Sequence, residues 1–459
     1  MKRFLSILIG KIIIVLSKIT GHKGSSLPGK WAYKIDKAIL TKLSQEVKED
    51  IIVVCGTNGK TTTNNMIEQI LRKENYSVVC NKVGANMHFG VITAFIDKAP
   101  LFSSLKADFA TIEVDELSTL KVFEEMIPDY FLLTNLFRDQ LDRYGEIDIT
   151  IEKMKMALAK LPDSTTYILN GDDPLSSSFG YEKVGRTIYF GVEKTGNREI
   201  DEVKEGRFCP FCGEELQYNF YHYSQLGDFY CNGCNFKRPP LDYEAKNVSL
   251  KNGISFDLIS KGEEYPFDIP YKGFYNIYNI IGSVAATQEV DIGVETAEAI
   301  LQSYETQVGR MESFFIKKPI FLNLSKNPAG FNQAVETVLE EESLIDVVLM
   351  LNDNPQDGED VSWIWDGLFE TLNQGNIDHF YISGTRGYDM ALRLKYGDIP
   401  EEKISVYKTP GKALEKAIEG NGEKAYILVN YTALFETQKW LKDTEKKWSL
   451  KKIKWKDRL

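Results

Sequence analysis

The chain has 459 residues, a formal net charge of −11 and a pI near 5.2, with 43% hydrophobic and 26% charged residues. It is too long for one hydrophobic core, so two or three domains are expected, and the composition is that of an ordinary globular protein. A strongly acidic chain lacks the positive field that phosphate contacts need, which argues against general nucleic-acid binding.

The first 48 residues are predicted to form an N-terminal helical segment. The run from Phe4 to Ile19 is apolar apart from two serines and two lysines. It is similar to a signal peptide, but Lys11 interrupts it, no small-residue cleavage site follows, and it is too short to span a bilayer. We expect an amphipathic helix packed on the body of the protein, and a helix that touches the membrane surface or a partner is the alternative.

A phosphate-binding loop follows the first predicted strand. The β-branched strand Ile51–Val54 runs into G-T-N-G-K-T at residues 56–61, and a helix-compatible segment follows from Asn64 to Lys73. Lys60 is expected to reach the β- and γ-phosphates, and Thr61 to offer its hydroxyl to Mg²⁺. The general pattern has glycine where this chain has Val54. The residues predicted to hold a nucleoside triphosphate are Gly56, Thr57, Asn58, Gly59, Lys60, Thr61 and Thr62.

Four of the six cysteines have the spacing of a structural zinc site. They form C-x2-C-x18-C-x2-C at Cys209, Cys212, Cys231 and Cys234. Four thiolates close the coordination shell, so the predicted zinc is structural and not catalytic. Cys55 and Cys80 lie in apolar runs and are predicted to be buried thiols.

Strand-like and helix-like runs alternate along most of the chain, which predicts two α/β domains. Residues 49–308 are predicted to form a doubly wound ATP-binding domain with a small ribbon inserted at 201–240, and residues 309–459 a second, Rossmann-like α/β domain. The predicted strands are Tyr76–Cys80, Phe109–Val114, Tyr130–Thr134, Thr166–Leu169, Thr187–Phe190, a β region within Asn247–Ile259, Ile320–Leu324, Asp346–Asn352, His379–Ser383, Ile404–Tyr407 and Ala425–Asn430. The predicted helices include Leu117–Met126, Thr150–Lys160 and Asn276–Gln288.

Polar residues close several of these strands, at the edge where α/β sheets bind ligands. Glu113 is the first choice for a Mg²⁺ ligand and Asp115 the second, with a solvated acidic turn as the alternative. At the end of the next strand, Asn135 and Asp139 are expected to orient water or substrate. The stretch 170–174, N-G-D-D-P, follows another strand and could be no more than an Asx turn.

Two further groups are predicted to contact the nucleotide. Asn276 and Asn279 lie three residues apart on one predicted helix face, where an amide could pair with a purine edge, although helix capping is the simpler interpretation. Arg310 lies at the predicted domain boundary, where it could clamp phosphates when domains close.

In this order the motifs resemble those of the Mur ligase family, which includes the folylpolyglutamate synthases. The resemblance rests on residues 56–61, Glu113, T-N-x-x-x-D at 134–139, N-x-D-D-P at 170–174, G-x-x-N-x-x-N at 273–279 and G-R-x-E at 309–312. It implies that ATP phosphorylates a carboxylate and that an amine then attacks the acyl phosphate. It also implies that Lys60, Thr61 and Glu113 serve phosphate and Mg²⁺. By the same resemblance, Asn276 and Asn279 contact the adenine side, and Arg310 is the contact at the hinge.

The chain departs from the family in several places. About fifty residues precede the phosphate loop, too few for the nucleotide-sugar domain of an ordinary Mur ligase. Gln140 and Tyr275 stand where the family has histidine, and the family's A-H-N-P-like turn is S-K-N-P at 325–328. No position is recognised for the family's carbamylated lysine, which puts an ordinary amino-acid site in doubt.

One subgroup shares these departures, the four-cysteine ribbon and a distinctive C-terminal domain: the ligase subunits of lipid II isoglutaminyl synthase. The stretches 323–330 and 352–363 carry this resemblance. It implies that D-Glu in the lipid II stem peptide is amidated to D-isoglutamine. The ammonia would come from a glutaminase of the GatD type in a heterodimer. The protein is expected in the cytoplasm, where it could also associate peripherally with the inner face of the membrane. The cysteines and the four histidines form no evident Cys–His pair, so this chain is not expected to hydrolyse glutamine itself.

The acidic loop 353–360 is predicted to dock on the partner and orient its catalytic histidine, as the third member of a triad does. The resemblance favours Asp360, then Asp357, and a solvated acidic loop is the alternative. Two rival functions are considered: a folylpolyglutamate-synthase-like ligase that adds glutamate, and an ATP-dependent nucleic-acid module. The ribbon and the loop at 352–363 argue against the first, and the acidic charge argues against the second.

Overall fold

The computed structural model describes residues 1–19, 25–81, 84–137, 147–181, 183–195, 206–251, 253–304 and 309–456. These residues form two compact units, one ending at residue 304 and the other beginning at 309. Asp139, Gln140 and the predicted domain boundary at residue 308 lie outside the described residues, so these predictions stay predictions.

The first unit is built on a nine-stranded sheet in the order β11-β10-β9-β6-β5-β4-β1-β3-β2. All neighbours pair in parallel except β9 with β10 and β10 with β11, and β7 and β8 form a separate antiparallel hairpin. The strands are β1 (Ile51–Cys55), β2 (Val78–Cys80), β3 (Phe109–Glu113), β4 (Tyr130–Leu133), β5 (Thr166–Asn170), β6 (Thr187–Val192), β7 (Gln217–Tyr223), β8 (Leu226–Tyr230), β9 (Tyr243–Ser249), β10 (Ile254–Ser260) and β11 (Glu263–Ile269).

Helices cover this sheet, and its central strands are buried on both faces, as a parallel sheet requires. Every residue of β1 and β3 is buried. The helices of the first unit are α1 (Lys2–Ile19), α2 (Leu27–Ile35), α3 (Ile39–Ser44), α4 (Lys60–Lys73), α5 (His88–Lys98), α6 (Thr119–Val122), α7 (Ile147–Leu158), α8 (Pro174–Tyr181), α9 (Tyr275–Gln288) and α10 (Val294–Leu301).

The order of the strands determines where a ligand can bind. β1 lies between β3 and β4, and the chain leaves it to form β2 on the far side of β3. A crevice opens where successive connections leave a sheet in opposite directions, outside the carboxyl ends of the strands. The phosphate loop follows β1 directly, so it lies at this crevice beside the ends of β3 and β4.

The second unit has a six-stranded sheet in the order β12-β13-β17-β14-β15-β16, parallel except for the edge pair β12 and β13. Its strands are β12 (Glu312–Ile316), β13 (Lys318–Leu324), β14 (Ile345–Met350), β15 (Ile377–Ser383), β16 (Ile404–Val406) and β17 (Lys424–Val429). Its helices are α11 (Pro328–Leu339), α12 (Gly387–Tyr396), α13 (Pro410–Glu419) and α14 (Tyr431–Lys456).

The predicted α/β class is confirmed, but several elements differ from prediction. The predicted helix Leu117–Met126 is shorter: a 3₁₀ turn at Glu116–Ser118 leads into the single turn of α6. The β region expected within Asn247–Ile259 is longer, because β9 begins at Tyr243 and β10 pairs with the unpredicted strand β11. The edge strand β12 and the long helix α14 were also not predicted.

Candidate active site

Two glycines of the phosphate loop adopt backbone conformations that favour glycine. Gly56 has φ +123° and Gly59 has φ +85°, in the left-handed region that other residues rarely adopt. A Cβ at Gly59 would lie 2.1 Å from Asn279 Oδ1, so this position admits no side chain. Lys60 begins α4, which places the loop at a helix N-terminus, where phosphate oxygens are favoured.

Thr61 and Glu113 meet as predicted. Thr61 Oγ1 donates to Glu113 Oε2 at 2.8 Å, and Asn86 Nδ2 donates to Glu113 Oε1 at 2.9 Å. Asn81 fixes the backbone at Glu113 by accepting from its N–H at 2.9 Å and donating to its carbonyl at 2.7 Å. A hydroxyl and a carboxylate held together are oxygen ligands of the kind Mg²⁺ prefers.

Lys60 has a counter-ion that the sequence analysis did not assign. Its Nζ lies 3.3 Å from Glu116 Oε2 and also donates to the carbonyls of Gly56 and Thr57. Burial by itself lowers the pKa of Lys60, but the carboxylates of Glu116, Asp115 and Glu113 outweigh it, so the pKa is raised and the ammonium stays charged. A buried ammonium needs such a partner.

The acidic turn after β3 is therefore buried, and the alternative of a solvated turn is wrong. Glu113, Asp115 and Glu116 are 4–5% exposed. Asp115 caps the 3₁₀ turn by accepting from the Leu117 N–H at 3.2 Å, which brings the Glu116 carboxylate to Lys60.

The end of β4 holds the phosphate loop from the other side. Asn135 Oδ1 accepts from the Asn58 N–H at 2.9 Å, and its Nδ2 donates to the Asn58 carbonyl at 3.0 Å. Thr57 Oγ1 exchanges hydrogen bonds with the backbone of Phe137. Asn135 thus positions the loop in this structure, and its predicted contact with water or substrate stays a prediction.

The two asparagines of α9 reach the loop. Asn279 Oδ1 accepts from Thr63 Oγ1 at 3.3 Å, and Asn279 Nδ2 donates to Asn276 Oδ1 at 2.9 Å. Asn276 Nδ2 also donates to the Lys272 carbonyl at 2.8 Å, but no side-chain hydrogen bond caps the start of α9. The simpler interpretation, helix capping, is therefore not observed at the start of α9, and adenine contact stays a prediction.

The aspartates of N-G-D-D-P do more than form an Asx turn. Asn170 does accept from the Asp172 N–H at 3.0 Å. Asp173 is fully buried and accepts from the N–H groups of Leu136 and Leu175 at 2.8 and 3.1 Å. Burial raises the pKa of Asp173, and the hydrogen bonds oppose this effect only in part, so the pKa is about 7.

The four cysteines converge as their spacing predicts. All four Sγ atoms lie within 4.8 Å of one another, with Cys209–Cys234 at 3.6 Å and Cys212–Cys231 at 3.4 Å. A tetrahedron with Zn–S bonds of about 2.3 Å has edges of about 3.8 Å, so the cluster has the size of a four-thiolate zinc site. Gly213, at φ +76°, forms the turn after Cys212.

The ribbon also contacts the loop segments around the phosphate site, which the sequence analysis did not foresee. At the tip of the β7–β8 hairpin, Gln225 Nε2 donates to the Leu136 carbonyl at 2.6 Å and contacts Asp173 at 3.3 Å. After the last cysteine, Arg238 Nε donates to Asp172 Oδ1 at 2.6 Å. Asp172 also accepts from the hydroxyl of Tyr278, on the helix that carries both asparagines.

In the second unit, the aspartates of the acidic loop differ in burial and in hydrogen-bond partners. Asp357 is 4% exposed and accepts from the N–H and the hydroxyl of Thr432, so it fastens the loop to α14. Asp353 bonds Thr385 Oγ1 at 2.7 Å. Asp360 is exposed and accepts from the Ser362 N–H at 2.8 Å. Of the two aspartates predicted to serve a partner, Asp360 is the exposed one, and its role stays a prediction.

Arg310 is the second described residue of the second unit. It is partly exposed and follows Gly309, which has φ +71°. Its role as a phosphate clamp stays a prediction.

Comparisons with known proteins match both units. The family model "Mur ligase middle domain" matches residues 54–232, and "MurT ligase C-terminal" matches residues 324–434. The MurT subunit of lipid II isoglutaminyl synthase (glutamine-hydrolyzing) from Staphylococcus aureus strain COL is 34% identical, over 95% of this chain and 96% of its own. The chain belongs to the MurT family of Mur ligases.

Another MurT relative and a solved structure agree with this assignment. The MurT subunit from Streptococcus pneumoniae strain R6 is 37% identical, over 92% of this chain and 93% of its own. The MurF ligase from Thermotoga maritima in complex with ADP superimposes with a TM-score of 0.64, at 15% identity, over 92% of this chain and 85% of its own. That structural likeness shows the fold alone. The predicted Mur ligase architecture is confirmed.

Proposed function

We propose that this chain is the synthetase subunit of a lipid II isoglutaminyl synthase. It activates the α-carboxylate of D-Glu in the lipid II stem peptide with ATP, and ammonia from a partner glutaminase converts it to D-isoglutamine. The contact of Thr61 with Glu113 beside the Lys60 loop carries the proposal, in a chain whose MurT relatives match it almost from end to end.

The first step transfers the γ-phosphoryl group to the acceptor. A carboxylate oxygen attacks the γ-phosphorus, the bond to the β-phosphate oxygen breaks, and ADP leaves with that electron pair. Lys60 exchanges Glu116 for the phosphate oxygens, while the N–H groups of the loop and of the start of α4 stabilise the transferring charge. A magnesium ion, for which Thr61 and Glu113 are suitable oxygen ligands, would neutralise charge on the β- and γ-phosphates.

The second step forms the amide. The nitrogen lone pair of ammonia attacks the carbonyl carbon of the acyl phosphate. The C–O bond to the phosphate then breaks, inorganic phosphate leaves, and nitrogen loses a proton. Ammonia must arrive unprotonated, and a partner that releases it next to the acyl phosphate would satisfy that need.

We assign the four-cysteine cluster to structural zinc. Four thiolates leave no open position for substrate, and the cluster lies in the small core of Leu216, Phe229 and Phe236. Zinc would fix the ribbon, and through Gln225 and Arg238 the ribbon supports the loops around the nucleotide.

We infer that the glutaminase docks on the second unit, around Asp360. Tyr388, Leu392 and Tyr396 are spaced four residues apart along α12 and expose 47–75% of their surface. Trp365 is the last residue of the 3₁₀ turn that follows Asp360, and the centre of its ring lies 5.5 Å from that of the Tyr396 ring. Exposed tyrosine and tryptophan are the residues that most often anchor protein interfaces.

Asp360→Asn in the complex tests the docking assignment. Without this carboxylate the partner's histidine loses its orienting group, so glutamine turnover should fall by about a hundredfold or more while ATP binding by this chain survives. Glu359→Gln, the exposed neighbour, is the matched control and should turn over glutamine normally. Unchanged turnover in Asp360→Asn would refute the assignment.

An amidation assay tests the function itself. The co-purified complex with ATP, glutamine and lipid II should give D-isoglutamine, and ammonium salts should replace glutamine. Lys60→Met should lose the activity by about a hundredfold or more, because the charge on the transferring phosphate loses its cation. Lys73→Met, at the exposed end of the same helix, should be neutral. Addition of glutamate in place of ammonia would support the folylpolyglutamate-synthase-like rival instead.

A further inference from the structure

Helix α1 packs on the first unit through a narrow face of small and aliphatic residues. Its buried residues are Ser6, Ile7, Gly10, Ile14 and Ser17. A Cβ added at Gly10 would lie 2.6 Å from Ile96 Cγ2 of α5, so the helix lies close against its support. This contact uses less than half of the helix circumference.

The opposite side of α1 is also apolar, and it is exposed. Leu5, Ile12, Val15, Leu16 and Ile19 are 42–75% exposed. Leu5, Ile12, Leu16 and Ile19 are spaced by seven, four and three residues, so at about 100° per residue they form one stripe along the helix. A surface helix of a globular protein normally turns polar residues outwards, and α1 contains no acidic residue at all.

The segment around this stripe is strongly basic. Residues 1–48 contain ten lysines and arginines and two acidic residues, against 55 and 66 in the whole acidic chain. Both acidic residues have cationic partners: Asp36 lies 2.6 Å from Lys42, and Glu46 lies 2.8 Å from Arg3. The remaining positive charge therefore has no acidic counterpart within the segment.

Exposed lysines and a tryptophan lie on α1 and on its neighbour α2. Lys18 lies in the last turn of α1, and Lys30 and Lys34 lie on α2, the helix that packs against α1. Lys34 Nζ lies 4.6 Å above the ring of Trp31, which is half exposed, as is Leu27. Tryptophan and lysine beside an apolar face are typical of helices that lie in the headgroup region of a membrane.

We propose that α1 and the exposed face of α2 form a docking surface for an anionic lipid bilayer, with α1 lying in the plane of the interface. The aliphatic stripe would enter the acyl boundary while the lysines meet anionic headgroups. Among the described helices none is long and apolar enough to cross a membrane. The proposal does not need the reaction proposed above, because lipid binding requires neither ATP nor acceptor.

Vesicle sedimentation of the full chain tests this surface. The protein should pellet with phosphatidylcholine vesicles that contain phosphatidylglycerol, pellet poorly with phosphatidylcholine alone, and be released by salt. Ile12→Glu with Leu16→Glu should lower binding by about tenfold or more, because two charges would enter the acyl boundary. Ile127→Glu replaces an equally exposed aliphatic residue elsewhere on the first unit and should bind as the unchanged chain does.

A second variant tests the electrostatic half of the proposal. Replacing Lys18, Lys30 and Lys34 by glutamine should remove the preference for phosphatidylglycerol. Melting temperature and binding of a fluorescent ATP analogue should stay unchanged in every variant, which shows that the first unit remains folded.

Three results would overturn the proposal. The first is failure of the unchanged chain to bind phosphatidylglycerol vesicles. The second is normal binding by either the glutamate or the glutamine variant. The third is a dimer in buffer that Ile12→Glu with Leu16→Glu dissolves while no vesicles are bound, because the stripe would then be an interface between two copies of this chain.

Discussion

Arg238 neutralises a carboxylate that is wholly buried in the first unit. Its Nε lies 2.6 Å from Asp172 Oδ1, and Asp172 has no exposed surface. Arg238→Met keeps most of the side-chain volume but removes the guanidinium from Asp172, which keeps the Tyr278 hydroxyl and the Val192 N–H as hydrogen-bond donors. Removing one partner of a buried ion pair typically costs about 3–5 kcal/mol. Because Tyr278 lies on α9, this variant should also bind ATP more weakly.

The loss of stability around Asp172 can be measured by native-state hydrogen exchange of the amides of β5 and β6. The free energy of opening should fall by about 3 kcal/mol or more in Arg238→Met. Adding Asp172→Asn should restore part of it, because no buried charge then remains. Arg207→Met breaks an exposed pair with Glu215 on the same ribbon and should cost about 1 kcal/mol at most. If Arg238→Met lowers the free energy of opening no more than Arg207→Met does, the ion pair from the ribbon does not stabilise buried Asp172.

Three further predictions concern Glu113, the zinc cluster and Asp173. Glu113→Gln should lower magnesium-dependent ATP turnover by about a hundredfold, because Thr61 loses its carboxylate partner, and unchanged turnover across a magnesium titration would contradict this assignment. The purified chain should contain about one zinc ion, and its removal by a chelator should expose the β7 and β8 amides to exchange; a chain without zinc and with an intact ribbon would contradict the metal assignment. Burial raises the pKa of Asp173 to about 7, whereas an unfolded aspartate titrates near 4. Between about pH 4 and 7 the unfolded state therefore releases a proton that the folded state keeps, so the free energy of unfolding should fall as pH rises, by up to about 1.4 kcal/mol per pH unit. Asp173→Asn should remove that slope, and an identical slope in the variant would show that another group causes it.

The phosphate loop and its first carboxylate could be predicted because both follow from local order. Parallel strands end at one edge of the sheet, so a loop after β1 and an acid at the end of β3 must be neighbours. Glu116 lies only three residues further on, but its contact with Lys60 depends on how a short 3₁₀ turn folds back. The available signal was chemical: a loop lysine that becomes buried needs a counter-charge nearby.

Two kinds of long-range contact could not be predicted: those made by neutral side chains and those made by a helix that is apolar on nearly all sides. Gln225 contacts Leu136 across 89 positions of sequence, and no spacing pattern encodes that contact. The apolar residues of α1 surround most of its circumference, so periodicity alone does not show which side is buried. The small residues Ser6, Gly10 and Ser17 mark the packed side, because they allow close approach of another helix.

Following one oxygen atom shows whether an acyl phosphate is made on this chain. Lipid II carrying oxygen-18 in the D-Glu α-carboxylate should be amidated by the complex with ATP and glutamine. We expect ADP to form and one labelled oxygen to pass to inorganic phosphate for each amide made, with ADP and labelled phosphate both lost in Lys60→Met. Label recovered in AMP, or an amide formed with no label in phosphate, would contradict this expectation.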